Sequence, residues 1–555
     1  MKMPSQRFPP LYVLFLLSSL NYITTTYGLN ASITIPLNKT LTWADKELYG
    51  GFITLNATST LEVNLTGPDK SLSFVIFQVH SHLHNVTLYN NTLTPQSVAV
   101  GTNIGLYSSV KPKLDTFFVL NQNNVGVKVY ISVHGYDKFD PIPGGCNMEF
   151  PTAVAPYIRT TINRDFILVD LAPARDSSDK TCQLFSDVTV VFYKMYLPER
   201  LSIDEESYFS GVQSMLTLDK IVNNGGFIPE NSEHMRRRLA TYRGMGVVYV
   251  AIAYSNTNKS AYSVYVPNAV YSCNPLEEGD CERLDDALTI IMCICLYITG
   301  FVMCFFGHYF FKAEMFLMGT LSGVVVTYIV ISLIAAVDPT ALLGASLLSG
   351  VGFGAIWLLF WWFYGMPLFS VYLPTLNVGF LFAAIIYYAL PGGFAALEVD
   401  LNFWTLFISI TLMTSLMLVS MTFLSNILCC AILGSYALVF AMGYVVGTNM
   451  NYIIINTIRR AVVPKFNKAI LAPPFGWQES LEIFLWVTLV VTGFLAQHLS
   501  NRGRPPFPPP PRSVRPAMPG LSYGAIGQGN RRQQNDRTTS RNPPASTNET
   551  APLLA

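Results

Sequence analysis

Two adjacent apolar stretches decide the fold of this chain: ALLGASLLSGVGFGAIWLLFWWF at residues 341–363 and MPLFSVYLPTLNVGFLFAAIIYYAL at residues 366–390. Neither stretch contains a charged residue. A helix rises about 1.5 Å per residue, so about 20 apolar residues suffice to cross the hydrocarbon layer of a membrane. Only Tyr364-Gly365 separates the two stretches. We therefore predict two antiparallel membrane-spanning helices joined by a tight turn.

Five further stretches of the same kind predict an all-α bundle of seven transmembrane helices in residues 286–500. They cover residues 287–306, 315–337, 403–424, 427–446 and 481–499. Only Ser425-Asn426 separates the fifth predicted span from the sixth, which predicts a second antiparallel pair.

The first residues of the chain have the pattern of an export signal. Lys2 and Arg7 precede a short apolar run at 11–20, and small residues follow near Gly28. This pattern predicts a signal peptide at residues 1–28, and an uncleaved signal anchor is the alternative. Residues 29–285 then form an extracytoplasmic ectodomain.

The composition of the ectodomain predicts β-structure. Residues 71–79 and 125–133 are rich in Val, Ile, Phe and Tyr, and clusters of Gly, Pro and Asn bound them. A break with the sequence DPIPGG begins at Asp140. It predicts two β-sandwich-like domains, at 29–140 and 141–285, the second with a helical insertion.

Glycosylation sequons and cysteines agree with export. The sequons begin at Asn30, Asn38, Asn56, Asn64, Asn85, Asn90 and Asn258, and none falls between residues 287 and 500. Because glycans are added on the lumenal side, we predict a glycoprotein with its N-terminal part outside the cytosol. Cys146, Cys182, Cys273 and Cys281 lie in the same region and permit three pairings. The most local choice is Cys146–Cys182 with Cys273–Cys281.

A signal peptide followed by seven spans predicts a cytosolic C-terminus, at the plasma membrane, in endosomal-lysosomal membranes or in both. Arginines at 502, 504, 512 and 515 follow the last span, as the positive-inside rule requires. The segment with Arg459, Arg460, Lys465 and Lys468 is basic but falls on the opposite side. We predict that it is amphipathic and either lies on the outer leaflet or packs on the ectodomain.

The composition of residues 501–555 predicts a Pro-rich, disordered cytosolic tail that contains short motifs for binding partners. Residues 502–508 fit an SH3 ligand, and the FPPPP run from Phe507 fits an EVH1 ligand. A plain spacer is the alternative for both motifs. Tyr523 and Ile526 fit a tyrosine-based sorting signal, and Glu549 with Leu553 and Leu554 fits an acidic dileucine. Both sorting signals predict clathrin adaptors as partners.

The predicted spans are poor in charge and contain paired glycines. His308, Lys312, Glu314, Asp338, Glu398 and Asp400 are the ionisable groups between 287 and 458, and we place all six in turns or at helix ends. We see no buried carboxylate, which argues against membrane hydrolases and proton-coupled transporters. The pairs Gly319/Gly323, Gly350/Gly354 and Gly443/Gly447 predict close helix packing within the chain, and dimerisation is the alternative.

Catalytic and metal-binding patterns are weak. His80, His82 and His84 would share one face of a strand and so resemble a metal site, but a polar solvent-facing strand is the favoured interpretation. We find no catalytic triad, phosphate-binding loop or dinucleotide fingerprint. We expect no cofactor, no metal and no nucleic-acid partner. We expect membrane lipids to surround the bundle.

Two segments carry a family resemblance. DPIPGGCNMEF at 140–150 and FFGHYFFKAEMF at 305–316 resemble the transmembrane 7 superfamily member 3 family, and the membrane part is similar to transmembrane protein 198. The resemblance implies an integral membrane glycoprotein loosely associated with cell survival under stress, without catalytic residues.

Together these features predict a non-enzymatic protein whose ectodomain binds a protein or glycan and whose bundle anchors it. A divergent seven-transmembrane signalling receptor is the first alternative, and a channel or lipid scramblase is the second.

Overall fold

The computed structural model describes residues 29–508 apart from 38, 40–41, 91–97, 112–114, 147–157, 176–187, 199–203, 232, 259, 278–280, 282–286, 391, 504 and 506. The predicted signal peptide and the sorting motifs at Tyr523, Ile526, Glu549, Leu553 and Leu554 lie outside the described residues, as do Asn38 and Cys182.

The first ectodomain unit is a sandwich of two sheets, ordered β1-β3-β8-β5-β6 and β2-β9-β4-β7. Apolar residues at alternate positions of the strands fill the core between the two sheets, where Phe77 stacks on Phe117 with ring centroids 4.5 Å apart. The strands are β1 (Leu29–Pro36), β2 (Glu47–Leu55), β3 (Thr60–Thr66), β4 (Phe74–Ser81), β5 (Val86–Asn90), β6 (Val98–Gly101), β7 (Asn103–Ser109), β8 (Thr116–Leu120) and β9 (Val127–Tyr136).

The second unit is also a sandwich, with two short helices inserted after its third strand. Its elements are β10 (Ile158–Ile162), β11 (Phe166–Leu171), β12 (Val188–Tyr196), α1 (Glu205–Gln213), α2 (Leu218–Asn224), β13 (Gly226–Ile228), β14 (Arg236–Ala240), β15 (Gly246–Ser255), β16 (Tyr262–Val264) and β17 (Asn268–Tyr271). One sheet has the order β13-β12-β15-β16, with β17 also paired to β15. The other has the order β10-β11-β14-β18, and β18 (Ala469–Ile470) comes from the membrane half of the chain.

The two sandwiches share a buried interface. Every residue of β4 is buried, because one face of the strand lines the first core and the other face packs against the second unit. The Tyr136 hydroxyl donates to the Val264 carbonyl, and Trp43 donates to the Ser260 carbonyl across the same boundary. The ectodomain is therefore a fused pair of sandwiches.

Within the described residues, seven helices are long and apolar enough to span a membrane. They are α3 (Ala287–Phe306), α4 (Phe311–Ile334), α5 (Pro339–Tyr364), α6 (Pro367–Ala389), α8 (Asp400–Val419), α9 (Thr422–Val446) and α11 (Trp477–Ser500). Two short helices, α7 (Ala395–Glu398) and α10 (Tyr452–Val462), lie in the connections. The predicted fold class, a β-sandwich ectodomain before a seven-helix bundle, is confirmed.

One predicted turn is wrong. The break between the fifth and sixth spans lies at Ser420-Met421, not at Ser425-Asn426. The chain turns earlier because Ser425 and Asn426 are buried within α9, where the Asn426 amide has polar partners inside the bundle.

Glycines form the contact between α4 and α5. A Cβ atom on Gly319 would lie 2.8 Å from the Gly354 Cα, and one on Gly323 would lie 3.0 Å from the Gly350 Cα. The two G-x-x-x-G pairs therefore face each other within one chain, which lets the helix backbones approach closely.

The third predicted glycine pair is different. Gly443 lies against Thr448 and Glu482, but Gly447 ends α9 with a φ of 85°. The prediction that Gly447 packs between helices is therefore wrong: its role is that of a left-handed C-cap, a conformation that favours glycine.

Candidate functional site

A strand from the last interhelical loop joins the ectodomain to the bundle. β18 pairs in parallel with β14, with Arg238 opposite Ala469 and Leu239 opposite Ile470. The Ile470 side chain is buried in the core of the second sandwich. We call this contact region, with β18, α10 and residues 392–400, the junction. Because a sheet is continuous across it, the ectodomain and the bundle are held together by backbone hydrogen bonds as well as by packing.

Side chains on both sides of β18 reinforce this contact. The Tyr242 hydroxyl donates to the Leu471 carbonyl at 2.8 Å, and the Tyr196 hydroxyl donates to the Ala472 carbonyl at 2.9 Å. The buried Lys194 ammonium also donates to the Ala472 carbonyl, and burial lowers the pKa of Lys194 to about 7. The Arg243 amide donates to the Tyr452 hydroxyl of α10 at 2.7 Å.

The basic residues of the last loop pair with acids near the ectodomain. Arg459 Nε lies 3.0 Å from Asp165, and Arg460 Nη2 lies 2.9 Å from Asp400. Lys468 Nζ lies 3.5 Å from Glu233, which also binds Arg238. Of the two predicted positions for this amphipathic segment, the structure shows packing on the ectodomain. These ion pairs explain how a basic loop is accommodated at the ectodomain end of the bundle.

A polar cluster is buried at the opposite end of the bundle. Glu314 Oε2 accepts from Asn426 Nδ2 at 2.9 Å, and Asn426 Nδ2 lies 3.1 Å from His308 Nδ1. The His308 amide donates to Gln497 Oε1 at 2.9 Å, while Gln497 Nε2 donates to the Cys304 carbonyl at 2.8 Å. We call His308, Glu314, Asn426 and Gln497 the tail-side cluster.

The expectation that the spans hold no buried carboxylate is therefore wrong. Glu314 is fully buried, although it lies in the first turn of α4, because α9 packs against it through Asn426. Glu479 and Glu482 in α11 are also buried, and Glu479 accepts from the Asn449 amide at 3.1 Å. The argument from missing carboxylates against proton-coupled transport is thereby removed.

The Pro-rich segment contacts the tail-side cluster. Phe507 is half-buried, with its ring 5.5 Å from the Phe311 ring and 6.0 Å from the His308 ring. Phe311 packs in turn on Trp361, at 5.0 Å. The first residue of the EVH1-like motif is thus held by the bundle itself.

The histidine triplet of the ectodomain is not arranged on one strand face. β4 ends at Ser81, and Leu83 adopts a φ of 63°, so His82 and His84 lie in a turn. His80 is buried at the interface of the two sandwiches, so the solvent-facing interpretation is also wrong for it. In the part of the chain that the structure describes, no three His, Cys, Asp or Glu side chains are grouped to hold a metal.

The interface around His80 is polar and fully enclosed. Asn103 Oδ1 accepts from the Tyr208 hydroxyl and from His80 Nδ1, both at 2.9 Å. His134 lies on the same sheet face, and its ring nitrogens have no hydrogen-bond partner among the described residues. Burial lowers the pKa of His80 and the pKa of His134 to about 4. For His134 this outweighs the opposite influence of Glu47 and Asp45.

Acidification is therefore expected to destabilise the ectodomain. Below pH 6.5 an unfolded chain binds protons at these two histidines, whereas the folded ectodomain does not until about pH 4. Stability should fall across this window by up to about 3 kcal/mol per histidine and be unaffected above it. Protection factors from hydrogen exchange at β4 and β9 of the full-length protein, which correct for the intrinsic slowing of exchange in acid, should be lower at about pH 5 than at about pH 7.5. His134→Leu should weaken this dependence, and an unchanged pH profile would contradict the assignment.

The described sequons lie on the ectodomain. Asn30 is in β1, Asn64 in β3 and Asn90 in β5, while the exposed Asn56, Asn85 and Asn258 lie in loops or turns. Cys273 and Cys281 form a disulfide just before α3, as predicted. Cys146 is disulfide-bonded, and its predicted pairing with Cys182 stays a prediction.

The sequence patterns did not predict the main features at the two ends of the bundle, which are the β14–β18 pair and the tail-side cluster. The β14–β18 pair involves only two residues of the last loop, and a strand this short has no periodicity to detect. Glu314 and His308 are ionisable residues in an apolar region and so could indicate the tail-side cluster. The apolar pattern, however, places their partner Asn426 in a turn.

Domain models and curated relatives match this chain along most of its length. The models are described as a TM7SF3-like N-terminal immunoglobulin-like domain (residues 50–136), a TM7SF3-like second immunoglobulin-like domain (141–276) and a TM7S3/TM198-like domain (293–498). Transmembrane 7 superfamily member 3 of Rattus norvegicus is 28% identical over 459 residues, covering 80% of this chain and 81% of the relative. The protein of that name from Homo sapiens is 27% identical over 480 residues, covering 83% of each. The chain therefore belongs to the transmembrane 7 superfamily member 3 family, and it is a multi-pass membrane protein with two immunoglobulin-like domains.

Proposed function

We propose that this protein is a non-enzymatic membrane glycoprotein whose ectodomain binds a protein or glycan partner and whose bundle anchors the ectodomain and recruits further partners. The observation that carries the proposal is a surface patch in which one exposed aromatic ring, that of Phe52, lies beside the exposed charges of Lys128 and Glu205. Phe52 is 47% exposed on β2, and its ring packs edge-on against Tyr130 and Phe209. Lys128 Nζ lies 4.8 Å from the Phe52 ring and 3.5 Å from Glu205.

The position of this patch suits partner binding. It crosses the boundary between the two sandwiches, because Phe52 and Lys128 belong to the first and Phe209 and Glu205 to the second. The predicted glycans at Asn30, Asn64 and Asn90 belong to the other sheet of the first sandwich. An exposed aromatic ring beside a charged side chain is a typical anchor of protein interfaces and can also stack on sugars.

The patch can be tested with a matched pair of variants. Phe52→Ala combined with Lys128→Glu should lower partner capture about tenfold or more, because central aromatic anchors carry most of the binding energy. The control is Val100→Ala, which changes another exposed apolar side chain on β6 of the other sheet. Proximity labelling from the ectodomain and binding to a glycan array provide the measurements. Equal capture by both variants, or no reproducible partner in either assay, would contradict the proposal.

A signalling receptor is the second candidate, and the junction is the observation that favours it. A ligand that shifts the ectodomain would act directly on β18 and therefore on the loop between α9 and α11. Such a rigid connection is the kind of element through which binding can bias a bundle between two arrangements. Partner-dependent G-protein activation in cells would support this candidate, and its absence with a bound partner would exclude signalling by that route.

We also propose an orientation, a location and a set of tail partners. The ectodomain lies outside the cytosol and the tail inside, at the plasma membrane or in endosomal-lysosomal membranes, with a role in cell survival under stress by family resemblance. The dileucine and tyrosine motifs recruit clathrin adaptors, and SH3 or EVH1 domains bind the Pro-rich segment. Phe507 must leave its contact with Phe311 for an EVH1 domain to reach it.

A further inference from the structure

The Glu314 carboxyl group has one oxygen that lacks a hydrogen-bond partner among the described residues. Oε2 accepts from the Asn426 amide, but Oε1 has no hydrogen-bond partner in the described part of the chain, although the side chain is fully buried. No basic side chain of the described residues forms an ion pair with Glu314, and Lys312 on the same helix lies over the Trp362 ring, 5.8 Å from its centroid. An ionised carboxylate is expensive in such surroundings, because its donors are only the Asn426 amide and the weakly donating Cys430 thiol.

The partner of Glu314 has a matching unexplained atom. Asn426 is fully buried, and its Oδ1 also lacks a hydrogen-bond partner among the residues that the structure describes. A carboxylic acid and a primary amide form two hydrogen bonds to each other, one from N–H to C=O and one from O–H to C=O. One proton on Oε1 would therefore satisfy both orphan oxygens and leave the site neutral.

The same arrangement indicates a path for that proton. His308 Nδ1 accepts from Asn426 Nδ2, so the tail-side cluster continues from Glu314 to the His308 ring. His308 is nearly buried, with Phe423 on one side and the Phe507 ring near it. The other titratable groups facing Glu314 are the thiols of Cys429 and Cys430 on α9.

We propose that Glu314 is a reversible proton-binding site inside the bundle, paired with Asn426 and reached from the tail side past His308, with Phe507 as its cover. Proton uptake forms one O–H bond on the carboxyl and breaks none in the protein, and the proton comes from water at the tail-side surface. Proton binding at this site does not depend on partner binding by the ectodomain. Through protonation of this site, the arrangement of the helices in the bundle can respond to the pH on the tail side.

The full-length protein in liposomes allows a direct test with dicyclohexylcarbodiimide, an apolar reagent that modifies protonated carboxyls. Peptide mass spectrometry should find the adduct on Glu314, with about tenfold more at pH 6 than at pH 9. Infrared difference spectra should show a protonated-carboxyl band that titrates over the same range. The Glu314→Gln variant should lose both signals and keep its thermal midpoint, because the glutamine amide has nearly the shape of the acid.

A second variant tests the route. Phe507→Ala should increase the rate of Glu314 modification several-fold, whereas Phe475→Ala, which removes an exposed ring at the other end of the bundle, should leave it unchanged. Unmodified Glu314 together with an infrared band that survives in Glu314→Gln would overturn the site. Equal rates in the Phe507→Ala and Phe475→Ala variants would overturn the tail-side route.

Discussion

Replacing Ile470 with aspartate should destabilise the second sandwich by about 4 kcal/mol and detach it from the bundle, because a carboxylate would enter an apolar core without a partner. Ile470 is buried there beside Ile228 and Leu239, and Gly392 of the loop after α6 lies against it. The change also weakens the β14–β18 pair, so the Tyr242 contact with Leu471 should be lost with it. Hydrogen exchange of the full-length protein should show faster exchange throughout β11 and β14.

The loop also offers a control for this variant. Pro464→Asp introduces the same carboxylate six positions earlier, at an exposed residue. It should leave exchange in β11 and β14 unchanged, since exposed substitutions usually alter stability by less than about 0.5 kcal/mol. Equal behaviour of the two variants would show that β18 is not part of the ectodomain core.

Replacing Gly354 with leucine should destabilise the bundle by about 3 kcal/mol, because the α4–α5 contact has no room for a side chain. A Cβ atom at this position would lie 2.5 Å from the Phe316 carbonyl oxygen and would also meet the Thr320 hydroxyl. The first of these atoms is backbone, so the helices must separate to accept the new side chain. The thermal midpoint of the purified protein in detergent measures the loss.

The same helix provides the matched control. A Cβ atom added to Gly352 would meet no atom of the described residues within 4 Å, so Gly352→Leu should keep the native thermal midpoint. If both variants lower the thermal midpoint by a comparable amount, the effect comes from helix propensity or lipid contact and not from the close α4–α5 contact at the paired glycines. A loss confined to Gly354→Leu supports packing within one chain.

Apolar length alone is enough to predict the seven spans, because a membrane helix must be apolar over its whole length. Strand alternation in 71–79 and 125–133 predicts the sandwich architecture for the same reason: one face of each strand must be buried. The glycine spacing likewise anticipates the contact that Gly319 and Gly354 make, since small residues permit close helix approach.

Features that depend on distant segments are not predictable in this way. His80 is polar and is expected to face water, but a second sandwich covers that face of β4. Glu314 is expected at an exposed helix end, but α9 begins at Thr422 and brings Asn426 against it. β18 is only two residues long, and its pairing is set by the position of the bundle relative to the ectodomain.

The central claim is that the last interhelical loop completes a sheet of the ectodomain, and a disulfide cross-link tests it most directly. Partner residues on neighbouring strands lie about 5 Å apart, within the range that a disulfide bridges. The full-length double variant Arg238→Cys with Ala469→Cys should therefore yield the cross-linked peptide by mass spectrometry. Arg238→Cys with Pro464→Cys should not. Absence of the first cross-link, or labelling of a cysteine at position 469 from the tail side of the membrane, would contradict the account.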